Sequence, residues 1–171
     1  AWQYVKELDK WYLHLFDVTQ ADLNWENPDV REEVKNVVRF WMQKGVKGFR
    51  FDVINLISKS AFEDDFSSIG DGRQYYTDGP RIHEFLQELA QNSFAKDIDI
   101  ITVGEMSSTT MENCYKYAGK NTGELTMVFN FHHLKVDFMG NEKWVLVPTD
   151  FMKLKHILFD WQINMTEHDA W

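Results

Sequence analysis

Two carboxylates and a guanidinium stand in this chain where apolar residues would be ordinary. Arg50 and Asp52 lie in the run GFRFDVIN, residues 48–55, and Glu105 ends the run IDIITVGE, residues 98–105. Both runs have the β-branched and aromatic composition of strands. Side chains alternate across a strand, so Arg50 and Asp52 share one face while Phe49 and Phe51 share the other. A charge pair on an apolar strand costs stability unless it is paired or used. Paired carboxylates perform a definite kind of chemistry. One stays ionised and attacks a carbon. The other keeps its proton in an apolar setting and passes it to a leaving oxygen. This is the usual equipment for splitting a glycosidic bond. Arg50 beside Asp52 favours the anion and can orient it through a bidentate contact. A purely structural Arg–Asp pair would look the same, so the two runs alone leave both readings open.

The elements that would position these groups follow from periodicity and caps. Asn27 can cap a helix, Pro28 suits its first turn, and Asp29, Glu32 and Glu33 suit its positive end. Val30, Val34, Val37, Val38, Trp41 and Met42 recur at helical spacing and predict one apolar face, closed by Lys44-Gly45. A strand over 46–52 follows, then a long polar loop over 60–78. A second helix begins near Asp78-Gly79-Pro80, with Ile82, Phe85, Leu86, Leu89 and Phe94 inward. The strand over 98–105 leads through Ser107–Thr110 into a shorter helix that carries Cys114. A third strand over 124–131 ends at His132-His133 and Lys135. A last helix over about 149–165 turns Phe151, Leu154, Ile157, Leu158, Trp161 and Met165 to one side. Residues 1–27 read as irregular apart from a short strand in WYLHLFDV. Strands alternating with helices imply right-handed βαβ units and a parallel sheet. Ionisable residues at three successive strand ends favour a (β/α)8 barrel, in which such ends carry the chemistry.

Composition narrows the partners. The net charge of −9 argues against nucleic acid, since binding phosphate backbones needs a basic surface. There is no run of 18 apolar residues, so no membrane span is expected, and no secretory signal is apparent. Cys114 is alone, which precludes an internal disulfide and fits a reducing cytoplasm. Aromatic residues reach 15%; they suit a core or a sugar-lined cleft. No cofactor is indicated, and no metal site either, because His132-His133 has no third ligand spaced nearby.

Three runs together carry a family resemblance. GFRFDVIN resembles the strand-four signature of the α-amylase family of glycoside hydrolases, TVGEM resembles its strand-five signature, and QADLN, residues 20–24, resembles a marker near the end of the domain inserted after strand three. The resemblance implies an α/β fold made of part of a (β/α)8 TIM barrel, strands four to six with their helices. Residues 1–27 would be the end of the inserted subdomain and residues 28–171 the partial catalytic barrel. It implies Asp52 as nucleophile and Glu105 as general acid/base. The family's Asn-His-Asp motif after strand seven and its strand-three motif are both missing. The chain is therefore expected to be a piece of a longer protein, inactive alone, whose partner is the rest of the barrel from the same full-length chain.

Val53, after the nucleophile, resembles the oligo-1,6-glucosidase branch, where it accompanies linkages other than α-1,4. At the end of strand six that branch has Phe-x-Phe-Glu-His-Met-Asp, whereas here the run is Phe129-Asn130-Phe131-His132-His133-Leu134-Lys135. Bases at His132 and Lys135 in place of two acids suggest an anionic substrate, a small-molecule sugar phosphate. Arg50, Val53, His132, His133 and Lys135 are thus the candidate substrate-binding residues, and Lys143 is a loop lysine that could add a contact. The alternatives are a glucosidase acting on neutral oligosaccharides and a non-catalytic relative of the kind that accompanies amino-acid transporters. The latter would have degraded catalytic positions, and these are intact.

Overall fold

The computed structural model of the chain describes residues 1–66, 70–139 and 142–171 and leaves the side chains of Glu142, Lys143 and Leu146 undescribed. Three strands form a parallel sheet in the order β3-β4-β5: β3 is Gly48–Phe51, β4 Ile101–Glu105 and β5 Met127–Phe129. Helices alternate with them. They are α1 (Pro28–Gln43), the single turn α2 (Arg73–Tyr76), α3 (Ile82–Gln91), α4 (Met111–Ala118) and α5 (Phe151–Glu167). Two antiparallel hairpins stand apart from the sheet: β1 (Trp2–Val5) with β2 (Lys10–Leu13), and β6 (Phe138–Met139) with β7 (Glu142–Leu146). The parallel sheet with alternating helices is the one anticipated from the sequence. Of the hairpins, the sequence indicates only β2, at the start of WYLHLFDV. β1 replaces the irregular opening, and β7 places the Lys143 backbone in a strand rather than a loop, while its side chain, and Ser67–Ile69 of the polar loop, lie outside the described residues.

The sheet has two chemically different faces. Phe49 and Phe51 pack against the core built by α1, α3 and α4, and Gly104 points the same way. A Cβ on Gly104 would press on Ile54 and Leu125, so the glycine lets the helical layer close on the sheet beside Glu105. The register pairs Arg50 with Val103 and Glu105 with Phe129, which puts these four on the opposite face. Ile82, Phe85, Leu86 and Leu89 of α3 are buried as their spacing predicts, each contributing about 1.5–3 kcal/mol of transfer free energy. Phe94 is also buried, but in a 3₁₀ turn beyond the helix end at Gln91.

α1 begins as its caps require: the Asn27 side chain accepts from the Asp29 amide, and Pro28 opens the helix. Its buried face differs from the one expected. Val34 and Val38 turn inward, but Val37 and Trp41 are exposed, and Lys35 is buried in their stead. Lys35 reaches Glu88 of α3 at 2.7 Å and Glu32 at 2.8 Å, while Arg31 Nε reaches the other oxygen of Glu88 at 2.8 Å. The aliphatic stem of Lys35 packs like a hydrophobe and its ammonium stays paired, which a count of apolar letters cannot register. On α5, Phe151 and Leu158 are likewise exposed, whereas Met165 is buried and Leu154, Ile157 and Trp161 are partly so. Cys114 is buried, and burial pushes its thiol up to about 12, in keeping with a structural role.

After α5 the chain returns beside β5, where the Val128 amide donates to the Trp171 carbonyl at 2.8 Å. The outer edge of β3 has no strand beside it among the described residues. An open parallel edge, together with exposed Val37 and Trp41 on α1 and Phe151 and Leu158 on α5, favours association. The isolated 171-residue chain is expected to self-associate at micromolar concentration in sedimentation velocity. A monodisperse monomer would contradict this.

Candidate active site

The three chemistry-bearing residues meet at the C-terminal ends of β3 and β4. Arg50 Nη1 donates to Asp52 Oδ1 at 2.6 Å, and its Nη2 forms an ion pair with Glu105. One guanidinium therefore bridges both carboxylates. Its carbon also lies 5.6 Å from the centre of the Phe129 ring, which adds a cation–π contact from β5. The two acids differ in setting: the Asp52 side chain is 65% exposed and that of Glu105 only 11%. Two like charges held close repel, and the shared arginine offsets that repulsion. The same geometry leaves Asp52 open to the cleft and keeps Glu105 nearly buried between Arg50 and the strand that carries Phe129.

A cleft of about 420 Å³ opens beside Asp52. Val53, Leu56 and Lys59 form one wall, and Gln20, Asp22 and Trp25 the other. The QADLN run thus faces the strand that carries Asp52. Lys59 donates to Asp22 at 2.6 Å and ties the two walls together with both side chains largely buried. This pair was not singled out from the sequence; a lysine after a strand and an aspartate in a loop give no local sign that they meet.

Val53 sits in the left-handed backbone region at φ +38°, a strained conformation for a β-branched residue. It leads into the 3₁₀ turn Ile54–Leu56, whose Asn55 is fully buried. Asn55 makes a reciprocal pair with Ser107 beyond β4: its Oδ1 accepts from the Ser107 amide at 2.9 Å and its Nδ2 donates to the Ser107 carbonyl at 2.7 Å. The exits of the two carboxylate-bearing strands are therefore joined by one side chain.

His132, His133 and Lys135 occupy a 3₁₀ turn after β5. No contact among the described residues joins them to Asp52 or Glu105. His132 is turned toward α4 and α5. Its Nε2 donates to the Thr109 carbonyl at 3.0 Å and its ring stands edge-on to Trp161. Burial pushes the His132 imidazole below its ordinary pKa, partly opposed by the Thr109 bond and reinforced by Lys135 and His133 nearby. At neutral pH it is an uncharged donor. His133 is partly buried and Lys135 is exposed, so Lys135 supplies the fixed positive charge of this turn.

The α-amylase catalytic-domain model matches residues 1–171, and the chain belongs to that family of glycoside hydrolases. It is 54% identical over its whole length to the trehalose-6-phosphate hydrolase of Bacillus subtilis (strain 168) and 53% identical to that of Escherichia coli (strain K12). The crystal structure of the Bacillus licheniformis trehalose-6-phosphate hydrolase superposes with a TM-score of 0.94 at 54% identity. Relatives named oligo-1,6-glucosidase are 40% to 43% identical. All of this chain is covered in the first three, but it spans only 30% of their length. The parallel sheet is thus part of a TIM barrel, as the sequence implied.

A histidine whose folded pKa lies below its unfolded value of about 6.5 stabilises the fold only while neutral. That contribution is present above pH 6.5 and is lost as pH falls through the folded value. In the full-length protein, Tm should therefore fall more steeply below pH 6.5 in wild type than in His132→Gln. Parallel profiles would remove this role from His132.

Proposed function

We propose that the full-length protein is a retaining glycoside hydrolase that cleaves the α,α-1,1 bond of trehalose 6-phosphate to glucose and glucose 6-phosphate. The observation that carries the chemistry is the Arg50 bridge between Asp52 and Glu105 at adjacent strand ends. The choice of substrate rests on 54% identity to trehalose-6-phosphate hydrolases and on the basic turn after β5. In this reading residues 1–27 end an inserted subdomain and residues 28–171 form part of the barrel. The buried thiol of Cys114 suits a reducing cytoplasm.

Asp52, exposed and oriented by Arg50, attacks the anomeric carbon of the unphosphorylated glucose unit. Glu105, largely shielded from solvent, protonates the departing oxygen of glucose 6-phosphate. Forming the ester neutralises Asp52. The Arg50 charge then acts on Glu105 alone and favours its carboxylate form, which is the state needed to take a proton from water in the second step. The arginine, shared with Asp52 in the first step, thus favours the second of the two roles of Glu105, that of base. Val53 shapes the cleft wall beside the nucleophile. Lys135 reads the phosphate of the leaving sugar, while His132 and His133 set the turn that presents it.

A second reading, α-glucosidase action on neutral oligosaccharides, is favoured by one observation: His132 is neutral and engaged with Thr109. That leaves Lys135 to carry the phosphate selectivity. A charge-assisted contact contributes about 1.5–3 kcal/mol. Lys135→Ala should therefore lower the ratio of kcat/KM for trehalose 6-phosphate over an uncharged aryl α-glucoside by roughly ten- to a hundredfold. An unmoved ratio would favour the neutral-substrate reading.

Asp52→Asn keeps side-chain volume but removes the nucleophile. Turnover should drop by several powers of ten, a barrier increase of about 5 kcal/mol or more. Its melting temperature should stay near that of wild type. Retention of a tenth of the activity would take Asp52 out of the nucleophilic role.

A further inference from the structure

Beyond the ends of β3 and β4 lies a polar cluster centred on Asp78. Its Oδ1 accepts from Asn55 Nδ2 at 3.1 Å and from the Tyr117 hydroxyl at 2.5 Å. Its Oδ2 accepts from the Thr109 hydroxyl and from Asn113 Nδ2, the latter at 3.0 Å. Every one of these donors is neutral, and among the described residues no lysine, arginine or histidine forms an ion pair with Asp78. Burial, followed by the charge of Asp78 and its hydrogen bond, pushes the Tyr117 phenol far above its usual range, so Tyr117 stays a donor.

The cluster reaches every strand end of the sheet. Asn55 leaves β3 three residues after Asp52 and is bonded to Ser107, two residues after Glu105. Thr109 continues the same loop, and its carbonyl holds His132 after β5. Three residues here have positive φ without being glycine: Val53 at +38°, Asp78 at +49° and Ser108 at +52°. Each is within two residues of a member of the cluster or belongs to it. Strained backbone of this kind persists only where surrounding bonds over-determine it. Gly79 allows the Asp78 segment to seat, since a Cβ there would collide with the Ser58 carbonyl, while the Ser58 hydroxyl accepts from the Arg81 amide at 3.0 Å.

We infer that Asp78 and Asn55 are positioning residues, which fix the strained exits of β3 and β4 so that Asp52 and Glu105 face one substrate. The inference rests on the carboxylate chemistry proposed above. A carboxylate is needed at position 78 because both oxygens must accept. An asparagine would turn its NH2 toward two donors and break that side of the cluster. Displacements of about 1 Å in a catalytic pair can cost a hundredfold in rate.

The test uses the full-length protein with an activated aryl α-glucoside, on which wild-type turnover is required whatever the natural substrate. Wild type inactive on both this glucoside and trehalose 6-phosphate would sink the hydrolase reading and the positioning role with it. Asp78→Asn should lower kcat roughly ten- to a hundredfold, with KM within about twofold, at a temperature well below its Tm. The control is Glu124→Gln. Glu124 is likewise buried, and is bonded to His83 and Gln87, but among the described residues it has no bond to a strand exit. Its substitution should lower Tm and leave kcat within about twofold. If Asp78→Asn does not fold, Thr109→Val removes one donor at constant shape and should lower kcat about three- to tenfold. Equal kcat losses in the Glu124 control, or a KM increase with unchanged kcat in Asp78→Asn or Thr109→Val, would overturn the positioning role.

Discussion

The Arg50 guanidinium is the constraint on which the rest of this structure turns. Two carboxylates on neighbouring strand ends would repel and splay the sheet if nothing stood between them. A single residue of β3 reaches Asp52 on its own strand and Glu105 on the next. It can do so only if the strands are parallel and in the register that sets Arg50 against Val103. A slip by one residue would send Arg50 into the helical layer with Phe49 and Phe51. The apolar face of the sheet, packed on α1, α3 and α4, therefore fixes the chemistry of the opposite face. Register, core and site are one problem rather than three.

A second layer of fixation lies behind the first. The arginine sets the distance between the acids from the front. The Asp78 cluster holds the loop ends from behind, through neutral donors alone. The division is physically sensible. A cation at Asp78 would add a charge whose field reaches the two acids. Neutral donors satisfy a carboxylate without competing with Arg50 for the electrostatics of the reaction.

Much of the site was legible because its signals are local. The Arg-x-Asp spacing fixes a shared strand face, and Asn27-Pro28 fixes a helix start, whatever else the chain does. Glu105 at the end of a β-branched run reads the same way. What the sequence hid depends on contacts between distant segments. Asn55 looks like one more residue of a turn, and Asp78 like a helix-starting aspartate; only the fold brings them together. β2 falls at the start of the short strand expected in WYLHLFDV, but its partner β1 is hidden because three of its four residues are exposed and no apolar alternation marks it. The inward side of α1 was misassigned at Val37 and Trp41 because Lys35, paired with Glu88 and Glu32, takes a core position. The sequence shows His132 as a base beside Lys135 but not that burial against Trp161 and a bond to Thr109 keep it neutral.

The central claim is that Asp52 and Glu105, bridged by Arg50, act by double displacement at one anomeric carbon. The stereochemistry of the first product tests it directly. Proton NMR of the full-length enzyme acting on an aryl α-glucoside, read before mutarotation, should show α-glucose released first. Initial release of β-glucose would mean direct attack by water, two acids set farther apart, and no glucosyl ester on Asp52.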